Sequence, residues 1–381
     1  MKIVFLSNFF NHHQRPLSDE LYKITGGNYT FIATGKMAEE QKKLGWGEKD
    51  IPSYVVEANT PATRSAVEDL VYSADVVMCG SAPIQMIRDR LKAKKLTFYY
   101  SERRYKKKPA FYKYPLTLLR DAKNIWPYKH YYLLAASAYA PRDYALTGAF
   151  VNKAYKWGYF PEAKRHEDVD GLIDKKIDGT ILWAGRFIEL KHPEMPIKLA
   201  KRLKSEGYDF SIKMLGNGVM LDDMRALVES EGLDDVMCLP GAVSPNEVRE
   251  AMEQSRIFLF TSDRNEGWGA VINEAMNSAC ATVACKDIGS APYLIKDNET
   301  GIMFESTNDE SLYQKVKWLL DNPNEATRIG ANAYRTIVEE WNARKAAERL
   351  YALSEEILKI NKAAYPFDDG VCSKARNNIW G

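Results

Sequence analysis

The amino-acid sequence predicts an α/β protein built as two doubly wound parallel-sheet domains that face each other across a cleft. Three observations lead there. The chain has 381 residues, more than one hydrophobic core usually organises. Short β-branched or aromatic runs alternate with polar, helix-compatible stretches, the pattern of a parallel sheet wound through crossover helices. The alternation also stops once and restarts.

In the first half the predicted strands are KIVFLS (2–7), YTFIAT (29–34), DVVMCG (75–80), LTFYYS (96–101) and YYLLAAS (131–137). The charged, glycine-containing stretch PEAKRHEDVDGLIDKKIDGT (161–180) interrupts them and reads as the interdomain connection. After it come TILWAG (180–185), FSIKMLG (210–216), DVMCLPG (235–241), RIFLFTS (256–262) and ATVACK (281–286), with helices such as MPIKLAKRLKSEG (195–207) between them. The division is drawn at 1–160 for a first domain and 161–344 for a second. One long helix is expected from about 324 to 362, and the stretch from about 345 to 381 is expected to pack back on the first domain. Ligands of such sheets sit at the C-terminal ends of the strands.

Composition is that of an ordinary folded protein, 45% hydrophobic and 27% charged, which speaks against disorder and fibrous repeats. Five cysteines without CxxC spacing suit a reducing compartment and hold no zinc. The N-terminus lacks a signal-like cleavage site, and no run approaches the ~18 apolar residues of a membrane span. A cytoplasmic protein is expected. The net charge of +2 hides an asymmetry: residues 88–131 carry +11 and the remainder −9. That window is interleaved with tyrosines and with Trp126, the composition of a surface that docks on anionic lipid. Nucleic acid is not expected as a partner.

The chemistry is concentrated after two predicted strands. DRNEGWGAVINEAM places Glu266 in a glycine-flexed loop and Glu274 on the following helix, with Gly267, Trp268 and Gly269 presenting backbone N–H groups. An ionised carboxylate accepts two hydrogen bonds from a vicinal diol, so both glutamates suit sugar or ribose hydroxyls. GRFIELKHPE presents Arg186 and Lys191 at the start of a helix, two cations suited to a diphosphate leaving group. In the first half, His12 and His13 follow the first strand, where they could reach a diphosphate or acceptor or merely solvate or cap the loop. Glu102 could orient an acceptor hydroxyl or pair with Arg103 or Arg104. The remaining histidines show no metal spacing, and no acidic donor-metal motif is evident.

GRFIELKHPE, MLGNG (214–218), VMCLPGAVSPNEVREAMEQSRIFLFTS, EGWGAVINEAM and NETGIMF (298–304) follow one another in an order and spacing that resembles the family 4 retaining glycosyltransferases, of GT-B fold and group 1 of the glycosyl transferases. By that resemblance Arg186 and Lys191 bind the donor diphosphate, Glu266 the transferred sugar and Glu274 the ribose. The Gly267–Gly269 backbone contacts sugar and phosphate, Gly216 lies in the donor site, and Leu239, within 238–241, borders the base. The resemblance implies a nucleotide diphosphate sugar as substrate, no cofactor, no metal, and a saccharide or lipid-linked acceptor in cell-surface polysaccharide synthesis at the inner face of the plasma membrane. The chain departs from the family at NHHQRP (11–16), YSERR (100–104), SACATV (278–283) and Tyr293. A nucleotide-sugar epimerase of similar fold and a catalytically silent binding subunit are the competing readings.

Overall fold

The computed structural model describes residues 1–37, 50–106 and 114–377. The chain forms two compact units, one of residues 1–162 with 341–381, the other of residues 163–340.

In the first unit seven parallel strands form one sheet: β1 (Ile3–Ser7), β2 (Tyr29–Ala33), β3 (Val55–Glu57), β4 (Val76–Cys79), β5 (Thr97–Ser101), β6 (Tyr131–Ala135) and β7 (Ala154–Lys156), in the spatial order β3-β2-β1-β4-β5-β6-β7. β1, β4 and β6 are buried along their whole length, as expected of strands covered on both faces. That double burial is why they read in the sequence as unbroken apolar runs. β3 and β7 were not foreseen, because three-residue strands have too little length to show a period.

The edge beyond β7 is covered. Cys372 and Ala375 donate to the carbonyls of Lys156 and Ala154, and Lys156 donates to that of Ser373, at 2.8, 2.9 and 2.8 Å. Such pairing satisfies an edge that would otherwise template association. The helix Ala343–Ile360 packs on the helix Arg15–Ile24 in this same unit. The single helix expected over 324–362 is therefore two. The helix Pro323–Arg335 runs into a π-helical turn, Thr336–Glu340, and a new helix starts where the Asn342 side chain accepts the Lys345 N–H at 2.9 Å. An asparagine at that position caps a fresh N-terminus.

The second unit holds β8 (Ile177–Ala184), β9 (Ser211–Leu215), β10 (Met237–Gly241), β11 (Ser255–Phe260), β12 (Ala281–Cys285) and β13 (Ile302–Phe304), all parallel, in the order β10-β9-β8-β11-β12-β13. β8 begins inside the stretch read as a connection, and the helix Val169–Asp174 precedes it. The chain winds from β8 outward to β10, then returns to β11 on the other flank of β8. The crevice beyond the carboxyl ends of β8 and β11 is thus the topological switch point, where ligands of open α/β sheets bind.

Candidate functional site

The loop after β8 and the loop after β9 are pressed together by glycine. Gly216 has φ +137°, and a Cβ there would lie 1.8 Å from the Gly185 carbonyl oxygen. The Gly185 N–H donates to the Leu215 carbonyl, the Phe187 N–H to that of Asn217 and the Gly216 N–H to that of Gly241. Gly216, expected in the donor site, has its N–H committed to the neighbouring strand; it shapes the loop that carries Arg186 and Lys191.

Lys191 ends a short 3-10 turn, Glu189–Lys191, and Glu266 lies in the loop after β11. The structure brings them into contact: the ammonium of Lys191 donates to a carboxylate oxygen of Glu266, with the side chains 13% and 16% exposed. Ser262 Oγ donates to the same oxygen at 3.2 Å, and Lys191 Nζ lies 5.2 Å over the ring of Phe260. The hydroxyl of Thr261 donates to the Lys191 carbonyl at 2.6 Å and accepts from the buried Trp183 indole at 2.9 Å. Both partners are therefore held from the strand side. Arg186 is exposed, and among the described residues its guanidinium has no ion-pair partner.

Two neighbours escaped the sequence reading. His192, in the left-handed region at φ +49°, places Nδ1 2.9 Å from Glu194 and Nε2 3.5 Å from Asp263. The Glu194 hydrogen bond raises its pKa. Asp263 donates its N–H to the Leu190 carbonyl and accepts the Glu266 N–H on its own carbonyl, at 3.0 and 3.1 Å. His192 and Asp263 thus lock the loop of Lys191 to the loop of Glu266. A histidine directly beside a candidate lysine was the available signal.

The glycine loop is tighter than its sequence suggests. Gly269 has φ +78°, and a Cβ there would sit 2.3 Å from the Phe260 ring. Trp268 is fully buried, its indole donating to Asn273 and its carbonyl accepting from Ser290. The tryptophan anchors the loop, which leaves N–H groups as the donors this segment can offer. The following helix is Val271–Asn277, with Glu274 in its first turn. Burial raises the Glu274 pKa, an effect the Arg249 charge opposes. Leu239 lies on β10, and its carbonyl accepts two hydrogen bonds from Arg225, at 3.0 and 3.1 Å.

In the first unit Glu102 does not pair with Arg103 or Arg104. Its carboxylate accepts from Tyr159 Oη at 2.7 Å and pairs with Lys106 Nζ at 2.6 Å. Arg104 instead makes a two-pronged pair with Asp121 at 2.5 and 3.1 Å, and Arg103 lies 3.7 Å from Asp143. Asp121 and Asp143 are both buried, so these two cations are internal and do not belong to a solvent-facing basic surface. His13 follows a turn capped by Asn11, and its ring stacks on Tyr159. Burial and the neighbouring His12 lower its pKa to about 4, which makes it a neutral imidazole near pH 7, a hydrogen-bonding group and not a cation for a diphosphate. No metal-holding cluster of His, Cys, Asp and Glu occurs among the described residues, and no described helix is long and apolar enough to cross a membrane.

Comparison with known proteins agrees with this architecture. Residues 166–336, nearly all of the second unit, match the family model described as Glycosyl transferases group 1. An alpha-D-kanosaminyltransferase of Streptomyces kanamyceticus is 28% identical over 198 residues, 51% of this chain and 50% of that protein. The N-acetylgalactosamine-N,N'-diacetylbacillosaminyl-diphospho-undecaprenol 4-alpha-N-acetylgalactosaminyltransferase of Campylobacter jejuni is 30% identical over 145 residues, 38% of each chain. The chain spans half or less of the length of these two curated relatives. Anabaena HepE in complex with UDP superposes with a TM-score of 0.66 at 13% identity, covering 95% of this chain and 99% of that one. Sucrose-phosphate synthase of Thermosynechococcus elongatus gives 0.68 at 12% identity, covering 94% and 100%. At such identities the likeness speaks for the fold, two parallel-sheet domains of GT-B type. The switch-point loops lie within the residues that match the Glycosyl transferases group 1 model.

Proposed function

We propose that the protein is a retaining glycosyltransferase that moves a sugar from a nucleotide diphosphate donor to a saccharide or lipid-linked acceptor in cell-surface polysaccharide synthesis. The observation that carries this reading is the Lys191–Glu266 pair held at the carboxyl ends of β8 and β11, with Arg186 exposed on the same loop as Lys191. A departing nucleoside diphosphate gathers negative charge, which the held ammonium of Lys191 and the solvent-facing guanidinium of Arg186 stabilise. Glu266, held by Lys191 and Ser262, accepts hydrogen bonds from hydroxyls of the transferred sugar, and Glu274 accepts them from the ribose. Because the leaving phosphate oxygen can take the acceptor proton, this chemistry needs no protein nucleophile and no metal ion.

The Campylobacter relative, a diphospho-undecaprenol N-acetylgalactosaminyltransferase, supports a lipid-linked acceptor. HepE bound to UDP supports a nucleotide donor. A lipid-linked acceptor calls for a cytoplasmic enzyme held peripherally on the anionic inner face of the plasma membrane. In the first unit His13, Tyr159 and Glu102 form the polar cluster suited to an acceptor hydroxyl. The reading is tested by incubating the purified protein with UDP-, GDP- and ADP-sugars and following release of the nucleoside diphosphate. Release that requires Lys191 and Glu266 supports it. Equal release by the alanine variants of both residues would overturn the donor-site assignment.

A further inference from the structure

The helix Tyr114–Asn124 is built the wrong way round for a helix in water. Leu116 and Leu119 are 70% and 66% exposed, Leu118 is 41% exposed, and Trp126, just past the helix end, is 49% exposed. A helix covering a sheet normally turns such residues inward. Here the inward position goes to the helix's only acid, Asp121, which is 1% exposed and receives the forked Arg104 guanidinium and the Thr147 hydroxyl. Arg104 itself stacks 3.9 Å over the ring of Tyr144. Rolling the helix to bury its leucines would break this internal charge pair, which is strongly unfavourable. The roll is therefore fixed, and with it the outward apolar face.

Leu116, Leu119, Arg120 and Lys123 follow one another at the spacing of a single helical stripe. All four are exposed, as is Lys129 beyond the helix. The helix's acid, Asp121, is turned inward, and the exposed Arg120 side chain reaches back to within 3.6 Å of it while Lys123 has no such partner on the helix. We propose that this face docks on an anionic lipid surface, with Leu116, Leu119 and Trp126 entering the boundary between headgroups and acyl chains and Arg120 and Lys123 meeting lipid phosphates. Apolar residues bracketed by cations are what an interfacial helix presents. A second copy of the chain is a poor occupant, because a two-fold contact would set Arg120 and Lys123 against their own counterparts. The proposal rests on the membrane reading above, but it moves the contact from the whole basic window to one helix face. Arg103 and Arg104 take no part in it.

The test is co-sedimentation with vesicles of phosphatidylcholine, alone or mixed with phosphatidylglycerol, using wild type, L116E/L119E and R120E/K123E. Thermal shift on adding UDP to each protein reports the donor site separately. Wild type should sediment with the phosphatidylglycerol vesicles and release as salt rises. Each variant should partition roughly tenfold more weakly or worse, with its melting temperature and UDP response unchanged. Absence of wild-type binding, equal binding to neutral vesicles, undiminished binding of either variant, or self-association of wild type that L116E/L119E abolishes would overturn the helix assignment. Loss of the UDP response in wild type would instead count against the donor site and leave the lipid contact standing.

Discussion

Replacing Lys191 by methionine keeps the reach of the side chain and deletes its charge. The partner carboxylate of Glu266 is 16% exposed, so it is left in a place where water screens it poorly. Two charges ~4 Å apart attract by about 4 kcal/mol at an effective dielectric near 20, and desolvation of both groups offsets much of that. Ser262 still donates to Glu266 at 3.2 Å, which softens the loss further. A coupling of about 1–3 kcal/mol between positions 191 and 266 is the expected remainder. Urea denaturation of wild type, K191M, E266Q and K191M/E266Q closes the cycle. The double variant should be more stable than the sum of the single losses implies. Turnover should separate from stability, since K191M removes charge from the leaving group and should lower kcat by about 10² to 10³. A coupling below about 0.5 kcal/mol, or wild-type turnover in K191M, would falsify the account of the pair.

Three further outcomes are expected. Gly216→Ala should lower stability by about 3 kcal/mol or more and displace the loop of Lys191, because its Cβ would meet the Gly185 carbonyl at 1.8 Å from a left-handed backbone; an unchanged urea midpoint would contradict this. His13 is depressed from 6.5 to about 4, so the unfolded chain binds the extra proton first. Its contribution is complete above pH 6.5 and is lost as pH falls toward 4, on the order of 3 kcal/mol in all, and the pH dependence of stability in H13Q should be flatter across that window. Transfer should persist in excess chelator without added magnesium or manganese, and loss restored by either ion would count against a purely cationic diphosphate site.

The strands were legible wherever burial on both faces wrote them as apolar runs. KIVFLS contains β1, RIFLFTS covers β11 apart from its first residue, Ser255, and ATVACK contains β12. The short strands β3 and β7 left no such mark. The break at Trp341 was hidden for a different reason: helix-forming residues continue on both sides of it, and only the Asn342 cap marks the new start. In the second unit the sequence named Lys191 and Glu266 separately but could not show that they touch. They are 75 positions apart, and their meeting depends on β11 returning beside β8. Strand order is a long-range property that local periodicity does not encode. The same limit hid His192, whose partner Asp263 arrives from the other loop.

The charge window over 88–131 shows why a linear tally cannot assign roles to cations. Arg90 is 1% exposed and donates to the carbonyls of Ala74, Asp75 and Leu96, so it ties loops inside the first unit. Lys94 and Lys95 precede β5, whereas Arg103 and Arg104 follow it, so the strand carries the two groups to opposite ends of the sheet. A five-residue strand spans about 17 Å, more than the ~10 Å screening length at 0.1 M salt. The two groups therefore cannot act as one electrostatic patch. Arg104 is spent on Asp121, and that pairing sets the roll of the helix Tyr114–Asn124. Among the described residues of the window, Lys92, Lys94, Arg120, Lys123 and Lys129 are exposed, and Arg120 and Lys123 are the ones on the helix beside the exposed leucines. Lys107, Lys108 and Lys113 lie outside the described residues. Among the described residues the +11 of the sequence thus resolves into internal ties, an anchor that orients a helix, separate exposed lysines, and a short stripe whose attraction to a surface depends as much on its apolar residues as on its charge.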